Sequence, residues 1–361
     1  MKRLSEKARY RQFRRFKLLE RWRAKNLRRR TKGIRRAGGE RVIRKSEALI
    51  RQKVARVFAP DIFGIETEDT RQPIFDFLAN LRANFSDHNI RNIVIDFSRT
   101  RRFIASGTLL FYAELTRLLE FSDGRVRVRC TDAQNSRANQ VLSQIGVFDL
   151  CGRKSSVKPI LGDVVHWRVA KGHMVDNTIC APAIEEIEGR LAAPLVDGIF
   201  RGLGEAMTNA KHHAYGSVRK DGLNFVQPRQ DWWMFSQLRG GFLSVVFCDL
   251  GVGIPATLPA KQPHLFARLL ALGKSSSDAA CIAEAIQNSR SSTQIEGRGH
   301  GLGNIINVIS KAQNGTVMVM SNRGFYSMRK GQKPIVGDYK RSIMGTLIYW
   351  RVPEIGVLND V

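Results

Sequence analysis

The spacing of apolar residues between 60 and 153 changes from segment to segment, and it predicts strands that alternate with helices. Short apolar or alternating runs predict strands at 92–97 and 126–130, and helical spacing is found at 74–85 and 141–150. A further helix is predicted by a stripe with the spacing i, i+4, i+7 and i+8, which is formed by Phe111, Leu115, Leu118 and Leu119. Strands alternating with helices predict a small α/β sheet covered by helices.

A second region of helices and strands is predicted between 154 and 361. A hairpin is expected from 232–238 to 243–249 around a turn at Arg239–Gly241, and further strands are expected at 316–321 and 345–353. Two helices are predicted by apolar stripes: one carries Ile199, Leu203, Ala206, Met207 and Ala210, and the other carries Leu302, Ile305, Ile306 and Ile309. The fold class expected for the whole chain is therefore mixed α/β, divided into residues 1–57, 60–153 and 154–361.

Charge changes this picture at the N-terminus. The 361 residues carry a formal net charge of +27, and residues 1–57 hold 23 Lys or Arg against 4 acidic residues. Aromatic side chains are interleaved with these arginines, so we expect a basic arm, partly helical or disordered, that binds RNA or DNA with a strong salt dependence. The alternatives are a solvated tail that docks on an acidic protein and a mitochondrial presequence.

Composition also excludes several classes of protein. No apolar run approaches the roughly 20 residues that span a bilayer, so we expect no membrane protein. The five cysteines include no C-x-x-C pair, which argues against a disulfide framework and a cysteine-based zinc site. A reduced, cytoplasmic location is therefore expected.

Three polar residues recur every four positions on one face of the helix predicted around 199–210. They are Glu205, Asn209 and His213, and their side chains should line up. A carboxylate and an amide in such a row can hold a hydrated cation and a water molecule. Neighbouring His212 and His213 also invite a transition-metal interpretation, but no third ligand is evident, so we prefer a packing or capping role for them.

Two glycine-containing segments suggest a nucleotide. Asp249 follows a buried strand and precedes Gly251 and Gly253, a pattern suited to a flat ring whose exocyclic amine donates to the carboxylate. Glycines at 297, 299, 301 and 303 precede a predicted helix, where exposed backbone N–H groups can hold phosphates. The second segment lacks the Gly-Lys-Ser/Thr of a Walker motif and does not follow a strand as a dinucleotide-binding turn does.

These motifs, in this order over about 160 residues, resemble the GHKL ATPases, the superfamily of gyrase, heat-shock chaperones, histidine kinases and mismatch-repair proteins. Residues 205–215 resemble the N box, in a form closest to the anti-sigma factor serine kinases. Asp249–Gly253 and Gly297–Gly303 resemble the two glycine boxes, and Gly345-Thr346 resembles the late threonine. The resemblance implies a Bergerat-type ATP-binding fold for residues 154–361.

The resemblance also implies roles for individual residues. Asp249 and Thr346 would recognise adenine, Asn209 would coordinate Mg²⁺, and Glu205 would be the general base. Residues 256–296 would form a lid over ATP. The remaining contacts to the nucleotide would come from His213, Gly251, Gly253, Gly297, Arg298, Gly299, His300, Gly301, Leu302 and Gly303, with Arg298 and His300 near the γ-phosphate. Family resemblance further implies a homodimer.

The middle region resembles a different family. Ile93–Ser98 followed by Phe103–Thr108 resembles the STAS domain of anti-sigma factor antagonists, over about 90 residues. Ile104 and Ala105 stand where that family has Asp and the first Ser, which leaves Ser106 as the matching phosphoacceptor. We prefer the interpretation that Ser106 caps the following helix. The STAS-like region is then expected to dock a protein partner rather than to act as a switch.

Three functions are consistent with these observations. The first, which we prefer, is an ATP-dependent switch that engages nucleic acid or a nucleic-acid-bound partner. The second is a protein serine kinase like the anti-sigma factors, and the third is a nucleic-acid-binding adaptor with a structural nucleotide. Glu205 argues against the third, because a site that only holds ATP does not need a carboxylate one turn from the Mg²⁺ ligand. Bacterial regulation and defence against mobile elements, including antiviral defence, are both compatible with the first.

Overall fold

A computed structural model describes residues 53–355, apart from 183–188, 224–228, 275–276, 292–300, 309–311 and 313. The basic arm up to residue 52 lies outside the described residues. Residues 52–361 form one compact unit. The chain is of mixed α/β class, as predicted. Within the described part, no helix is both long and apolar enough to cross a bilayer.

The first part of this unit is a small parallel sheet with helices. Its elements in chain order are β1 (Lys53–Phe58), β2 (Ile62–Phe63), α1 (Glu68–Ser86), β3 (Ile90–Asp96), β4 (Arg102–Phe103), α2 (Ala105–Ser122), β5 (Arg127–Cys130), α3 (Ser136–Gln144) and α4 (Val147–Leu150). The strands β1, β3 and β5 lie in that order and run parallel. The predicted stripe of α2 is confirmed, since Phe111, Leu115 and Leu118 are fully buried.

Two boundaries in this part differ from the prediction. Residues 53–57, which the charge pattern assigned to the arm, form β1, because Val57 is fully buried and Arg56 pairs with Asp96 at 2.7 Å. The helix expected at 141–150 is interrupted by Gly146, whose φ of +76° is incompatible with an α-helix. It is therefore replaced by the end of α3 and the short α4.

The interpretation of Ser106 as a helix cap is wrong. Helix α2 begins at Ala105 after Ile104, and its capping position has no side-chain hydrogen bond. Ser106 is 1% exposed, and its hydroxyl donates to the Glu66 carboxylate. The Ser106 hydroxyl therefore hydrogen-bonds to a carboxylate on a neighbouring segment instead of to a backbone N–H of its own helix.

The second part is built on a seven-stranded antiparallel sheet. Its elements in chain order are α5 (Gly162–Val165), β6 (Arg168–Gly172), α6 (Ala193–Asn209), β7 (Trp232–Arg239), β8 (Phe242–Asp249), α7 (Ile254–Lys261), α8 (Pro263–Ala271), α9 (Asp278–Ser291), α10 (Gly301–Asn307), β9 (Thr316–Ser321), β10 (Gly324–Arg329), β11 (Ile335–Asp338) and β12 (Thr346–Pro353). The strand order is β11-β10-β9-β12-β8-β7-β6. The predicted hairpin is confirmed, and Gly240 and Gly241 both adopt positive φ in its turn.

Both faces of the large sheet are covered. On one face, apolar side chains of β7, β8 and β12 pack with the buried stripe of α6 and with Ile305 and Ile306 of α10. On the other face, Trp233, Phe235 and Val246 share a core with α1 and α2. The predicted boundary near 153 lies in a segment, 153–161, without helix or strand, and this second core joins residues on its two sides.

Candidate nucleotide site

One cavity of about 270 Å³ lies beside the α6 face of the large sheet. It is lined by residues that are far apart in sequence, because α6, the end of β8, the start of β12 and the helices α7, α9 and α10 all reach it. Seven of the predicted site residues line it: Glu205, Asn209, His213, Asp249, Gly253, Leu302 and Thr346. The structure therefore brings together the polar row of α6, the aspartate after β8 and the threonine that begins β12.

Asp249 is held at the end of β8, directly opposite Thr346 of β12. It is 5% exposed, and its Oδ1 accepts from the backbone N–H of Gly251 at 3.0 Å. Burial raises the pKa of Asp249 to about 6, although hydrogen bonds from Gly251 and Thr346 and the charge of Arg219 act in the opposite direction. The carboxylate is thus mainly ionised at pH 7 and is suited to accept a hydrogen bond from a ligand inside the cavity.

Ser321 belongs to the same cluster and was missed by the sequence analysis. Its Oγ lies 3.1 Å from Thr346 Oγ1 and accepts from the backbone N–H of Ile254 at 2.8 Å. The register places Ser321 opposite Thr346 on β9, as Asp249 is on β8. The sequence signal for Ser321 was its position as the polar last residue of a mostly apolar strand. Asp249 has the same position on β8.

The glycines after Asp249 are required by the protein itself. A Cβ on Gly251 would lie 2.2 Å from the carbonyl oxygen of Ala214. Gly253 has φ of +84°, and a Cβ there would lie 2.8 Å from Ser321 Oγ. The loop therefore packs tightly between the end of the N-box segment and β9. Close approach to a ring, the reason given from sequence, is not needed to explain Gly251.

The N box adopts a mixed helical conformation. Helix α6 ends at Asn209, and Ala210–Ala214 continue as a π-helical turn. Such turns are rare and are frequently found at functional sites. Despite the wider turn, Glu205, Asn209 and His213 all line the cavity. The predicted alignment of these three residues is confirmed.

The surroundings of His213 lower its pKa. Burial lowers its pKa, and the nearby positive charges of Lys261 and His212 lower it further. Its Nδ1 is buried and has no hydrogen-bond partner among the described residues. The rings of His212 and His213 have centroids 6.3 Å apart. Over the described ranges, no group of three His, Cys, Asp or Glu side chains is arranged to hold a metal ion.

Tyr215 connects the segment that follows α6 to the loop after Asp249. Its hydroxyl donates to the carbonyl oxygen of Asp231 and accepts from the backbone N–H of Leu250 at 3.1 Å. Burial, followed by the charge of Asp249, raises the pKa of Tyr215 well above its usual value, so the phenol stays neutral and remains a donor. The loop after Asp249 is therefore fixed to the segment that follows the N box.

The predicted lid is largely helical where it is described. Helices α7, α8 and α9 form most of its described part, and Lys261, Gln262 and Ser289 line the cavity. The sequence analysis did not single out these three residues, although all three fall within the predicted lid. Lys261 brings a positive charge to the wall that carries His213. Such a wall is suited to an anionic ligand.

The second glycine box is described only in its last part. Gly297, Arg298, Gly299 and His300 lie outside the described residues. Gly301, Leu302 and Gly303 form the first turn of α10, and Leu302 lines the cavity. A Cβ on Gly303 would lie 3.2 Å from the carbonyl oxygen of Ser289, so this glycine also allows α10 to pack closely on α9.

Comparison with known proteins supplied no relative that would identify the site. No protein-family model matches the chain, and no curated protein matches its sequence. The functional interpretation therefore depends on the residues and their arrangement.

Proposed function

We propose that the chain binds ATP with Mg²⁺ in this cavity, in the manner of GHKL ATPases, and that it hydrolyses ATP as a regulatory switch. The observation that carries the proposal is the convergence of Glu205, Asn209, Asp249 and Thr346 on one cavity, although they are spread over 142 positions of the sequence. The layout around them supports it as well. An antiparallel sheet with α6 and α10 on one face and helical segments bordering the cavity is the arrangement expected of a Bergerat-type fold.

The adenine end of the proposed site is the cluster at the ends of β8, β9 and β12. Asp249 offers an ionised oxygen inside a mostly apolar cavity, where Leu302 and Ile348 provide flat contacts for a ring. Thr346 places a hydroxyl group beside the carboxylate, and the Ser321 hydroxyl contacts that of Thr346 at 3.1 Å. An exocyclic amine would satisfy the carboxylate, and a ring nitrogen would accept from a hydroxyl, directly or through water.

The phosphate end lies toward α6 and the lid. Asn209 would hold the cation through its amide oxygen, and Mg²⁺ would bridge and neutralise the phosphate oxygens when bound. Lys261 brings positive charge to the same wall, and His213 offers a neutral ring with an unsatisfied buried nitrogen. These groups fit an anion of high charge better than a neutral ligand.

Glu205 would act as the general base in ATP hydrolysis. It lies one helical turn before Asn209 and lines the same cavity. A carboxylate at this position can orient a water molecule and accept its proton as the water attacks the γ-phosphorus. Hydrolysis followed by release of the lid helices would then change the surface that a partner meets.

The remaining parts of the proposal depend on sequence. The basic arm, residues 1–52, would bind RNA or DNA, and the STAS-like region 60–153 would bind a protein partner. A homodimer stays a prediction from the family resemblance, and a cytoplasmic location stays a prediction from the cysteine content. Ser106 is an unsuitable phosphoacceptor in the conformation described, because it is buried and donates to Glu66. We therefore prefer the ATP-dependent switch to the serine-kinase and adaptor functions.

The proposal is tested first by binding. A fluorescent ATP analogue is titrated into wild type, Asp249→Asn and the matched control Asp197→Asn, whose side chain is exposed on α6. We expect Asp249→Asn to lose at least about tenfold in affinity and the control to bind like wild type, since a charge-assisted hydrogen bond contributes about 1.5–3 kcal/mol. Equal affinity of all three proteins would refute the adenine assignment.

Turnover is tested with γ-labelled ATP. Wild type should release free phosphate in the presence of Mg²⁺, and Glu205→Gln should bind the nucleotide but lose about 100-fold or more in rate, as expected for a general base. Label transferred to protein would favour the kinase. Tight binding without release or transfer would favour the adaptor.

A further inference from the structure

The small parallel sheet has one face that no helix of the described residues covers. Paired residues of parallel strands point to the same side, so the register defines two sets of side chains. The set formed by Ala55, Val57, Ile93, Ile95 and Val128 packs in the core with α1 and α2. The opposite set forms the open face: Val54, Arg56, Phe58, Asn92, Val94, Asp96, Arg127 and Arg129.

The open face combines arginines with an exposed aromatic ring. Phe58 is 58% exposed, Val54 is 59% exposed, and the side chain of Arg56 is 57% exposed. Arg127 and Arg129 are exposed on β5, and among the described residues neither forms an ion pair. Exposed large apolar side chains on β1 and unpaired arginines on β5 are not needed for the stability of the sheet.

The carboxylate on this face does not cancel the arginines. Asp96 is 4% exposed and is held by Arg56 Nε at 2.7 Å, the backbone N–H of Ser98 at 2.9 Å and Thr131 Oγ1 at 3.2 Å. It neutralises Arg56 locally and lies at one end of the face. Arg127 and Arg129 therefore leave a positive strip along β5.

We infer that this open face binds a single-stranded nucleic acid, with its phosphates on Arg127 and Arg129 and a base stacked on Phe58. Alternate residues of a strand lie about 6.6 Å apart, and β1 lies about 10 Å from β5 across the sheet. The two arginines can therefore follow a backbone along β5 while Phe58 meets a base at the other edge. Arginine contacts with phosphate together with aromatic stacking on an open sheet are how proteins bind single strands.

The ring argues for a nucleic acid over an acidic peptide. Charge alone would attract either ligand, but an exposed Phe58 ring offers a stacking surface that a base can use and a carboxylate cannot. A duplex fits less well, because its bases are already stacked on one another. The inference goes beyond the proposed function: it concerns the folded sheet rather than the basic arm, and it does not rest on the nucleotide site.

The test uses the full chain, so that the arm is the same in every protein. Binding of a labelled single-stranded RNA and DNA of mixed sequence is measured by fluorescence anisotropy over a range of salt concentrations. The variants are Arg127→Gln/Arg129→Gln, Phe58→Ala and Phe58→Trp. The matched control is Lys330→Gln/Lys333→Gln, which removes two exposed charges in the turn between β10 and β11. Urea unfolding checks that every variant is folded.

Each variant has a defined expectation. Loss of two phosphate contacts should reduce the slope of log Kobs against log salt by about 1.4 for a single strand, while the control keeps the wild-type slope. Phe58→Ala should weaken binding about fivefold or more, and Phe58→Trp should bind like wild type or more tightly.

Three results would overturn the inference. In the first, the double arginine variant has the same slope as the lysine control. In the second, Phe58→Ala and Phe58→Trp bind equally, which would exclude stacking. In the third, a blunt duplex or poly-glutamate depends on these residues as strongly as the single strand does, which would assign the face to a different partner.

Discussion

Glutamine in place of Glu114 would remove the central negative charge of a buried ion cluster. Glu114 lies on α2 and is fully buried. Its carboxylate contacts Arg82 Nη1 at 3.0 Å, Arg219 Nη1 at 2.8 Å and Arg117 Nη1 at 3.6 Å. Asp221 contacts two of these arginines, at 2.6 and 3.3 Å. The cluster thus ties α1 and α2 to the segment that follows the N box.

The magnitude follows from the charge environment of Glu114. Burial alone would raise its pKa, but Arg219, Arg82 and Arg117 outweigh burial and lower the pKa from 4.5 to about 2. This difference corresponds to about 3 kcal/mol of stabilisation at pH 7. Breaking a buried ion pair by removing one partner costs about 3–5 kcal/mol, which is the same range.

The stabilisation has a definite pH dependence. Because the folded-state pKa lies below the unfolded value, the contribution is fully present above about pH 5 and is lost as pH falls from 4.5 toward 2. We expect Glu114→Gln to unfold about 3 kcal/mol more easily than wild type at pH 7, and the difference should shrink to about 1 kcal/mol at pH 3.

Urea unfolding followed by tryptophan fluorescence measures this difference. Trp233 Nε1 donates to Thr116 Oγ1 of α2 at 3.0 Å, so its emission reports on the same contact between helix and sheet. The control is Glu120→Gln, since Glu120 is 38% exposed on the same helix and pairs with Lys171. The control should cost less than about 1 kcal/mol. A cost for Glu114→Gln that equals the control, or that is constant from pH 7 to pH 3, would refute the reasoning.

Further predictions concern the site and the contact between the two parts. Gly251→Ala should abolish binding of the ATP analogue and lower the urea midpoint, because its Cβ would overlap a backbone carbonyl, whereas Gly162→Ala, with open space around it, should be neutral. Burial raises the pKa of Asp249 from 3.8 to about 6, so the ionised form costs the folded protein up to about 3 kcal/mol above pH 6. Asp249→Asn should therefore unfold at higher urea than wild type at pH 7.5 but not at pH 4; equal midpoints at pH 7.5 would contradict this. Arg71→Met should cost about 2–4 kcal/mol in urea unfolding, because the buried guanidinium stacks 3.9 Å above the Tyr339 ring and donates to two backbone carbonyls; a loss below 0.5 kcal/mol would contradict it.

Periodic elements were predictable because their signal is local. The buried stripe of α6, the hairpin of β7 and β8 and the polar row at Glu205 and Asn209 follow from the spacing of residues within one element. The placement of Asp249 in the cavity followed from its position at the end of a buried strand. These features need no knowledge of the rest of the chain.

The features that were missed depend on contacts between distant segments. The strand β1 was assigned to the basic arm because of its charge, whereas in the structure its Arg56 pairs with Asp96, 40 residues later. Ser106 was assigned to the nearest backbone groups, whereas its partner Glu66 precedes it by 40 residues. Lys261 and Ser321 carry no motif, and only the folded chain shows that Lys261 lines the cavity and that Ser321 contacts Thr346.

The sequence of β7 carries a signal that both faces of its sheet are buried. An antiparallel strand with one solvated face alternates between apolar and polar residues, but Trp232–Leu238 has four consecutive apolar residues before its single polar pair, Ser236 and Gln237. In the structure every residue of that run is buried, because α6 and α10 cover one face and α2 covers the other. The absence of alternation in β7 therefore indicated a second covering layer. It also explains why residues before 153 and after 154 share a core, since the large sheet would otherwise leave Trp233 and Phe235 in water.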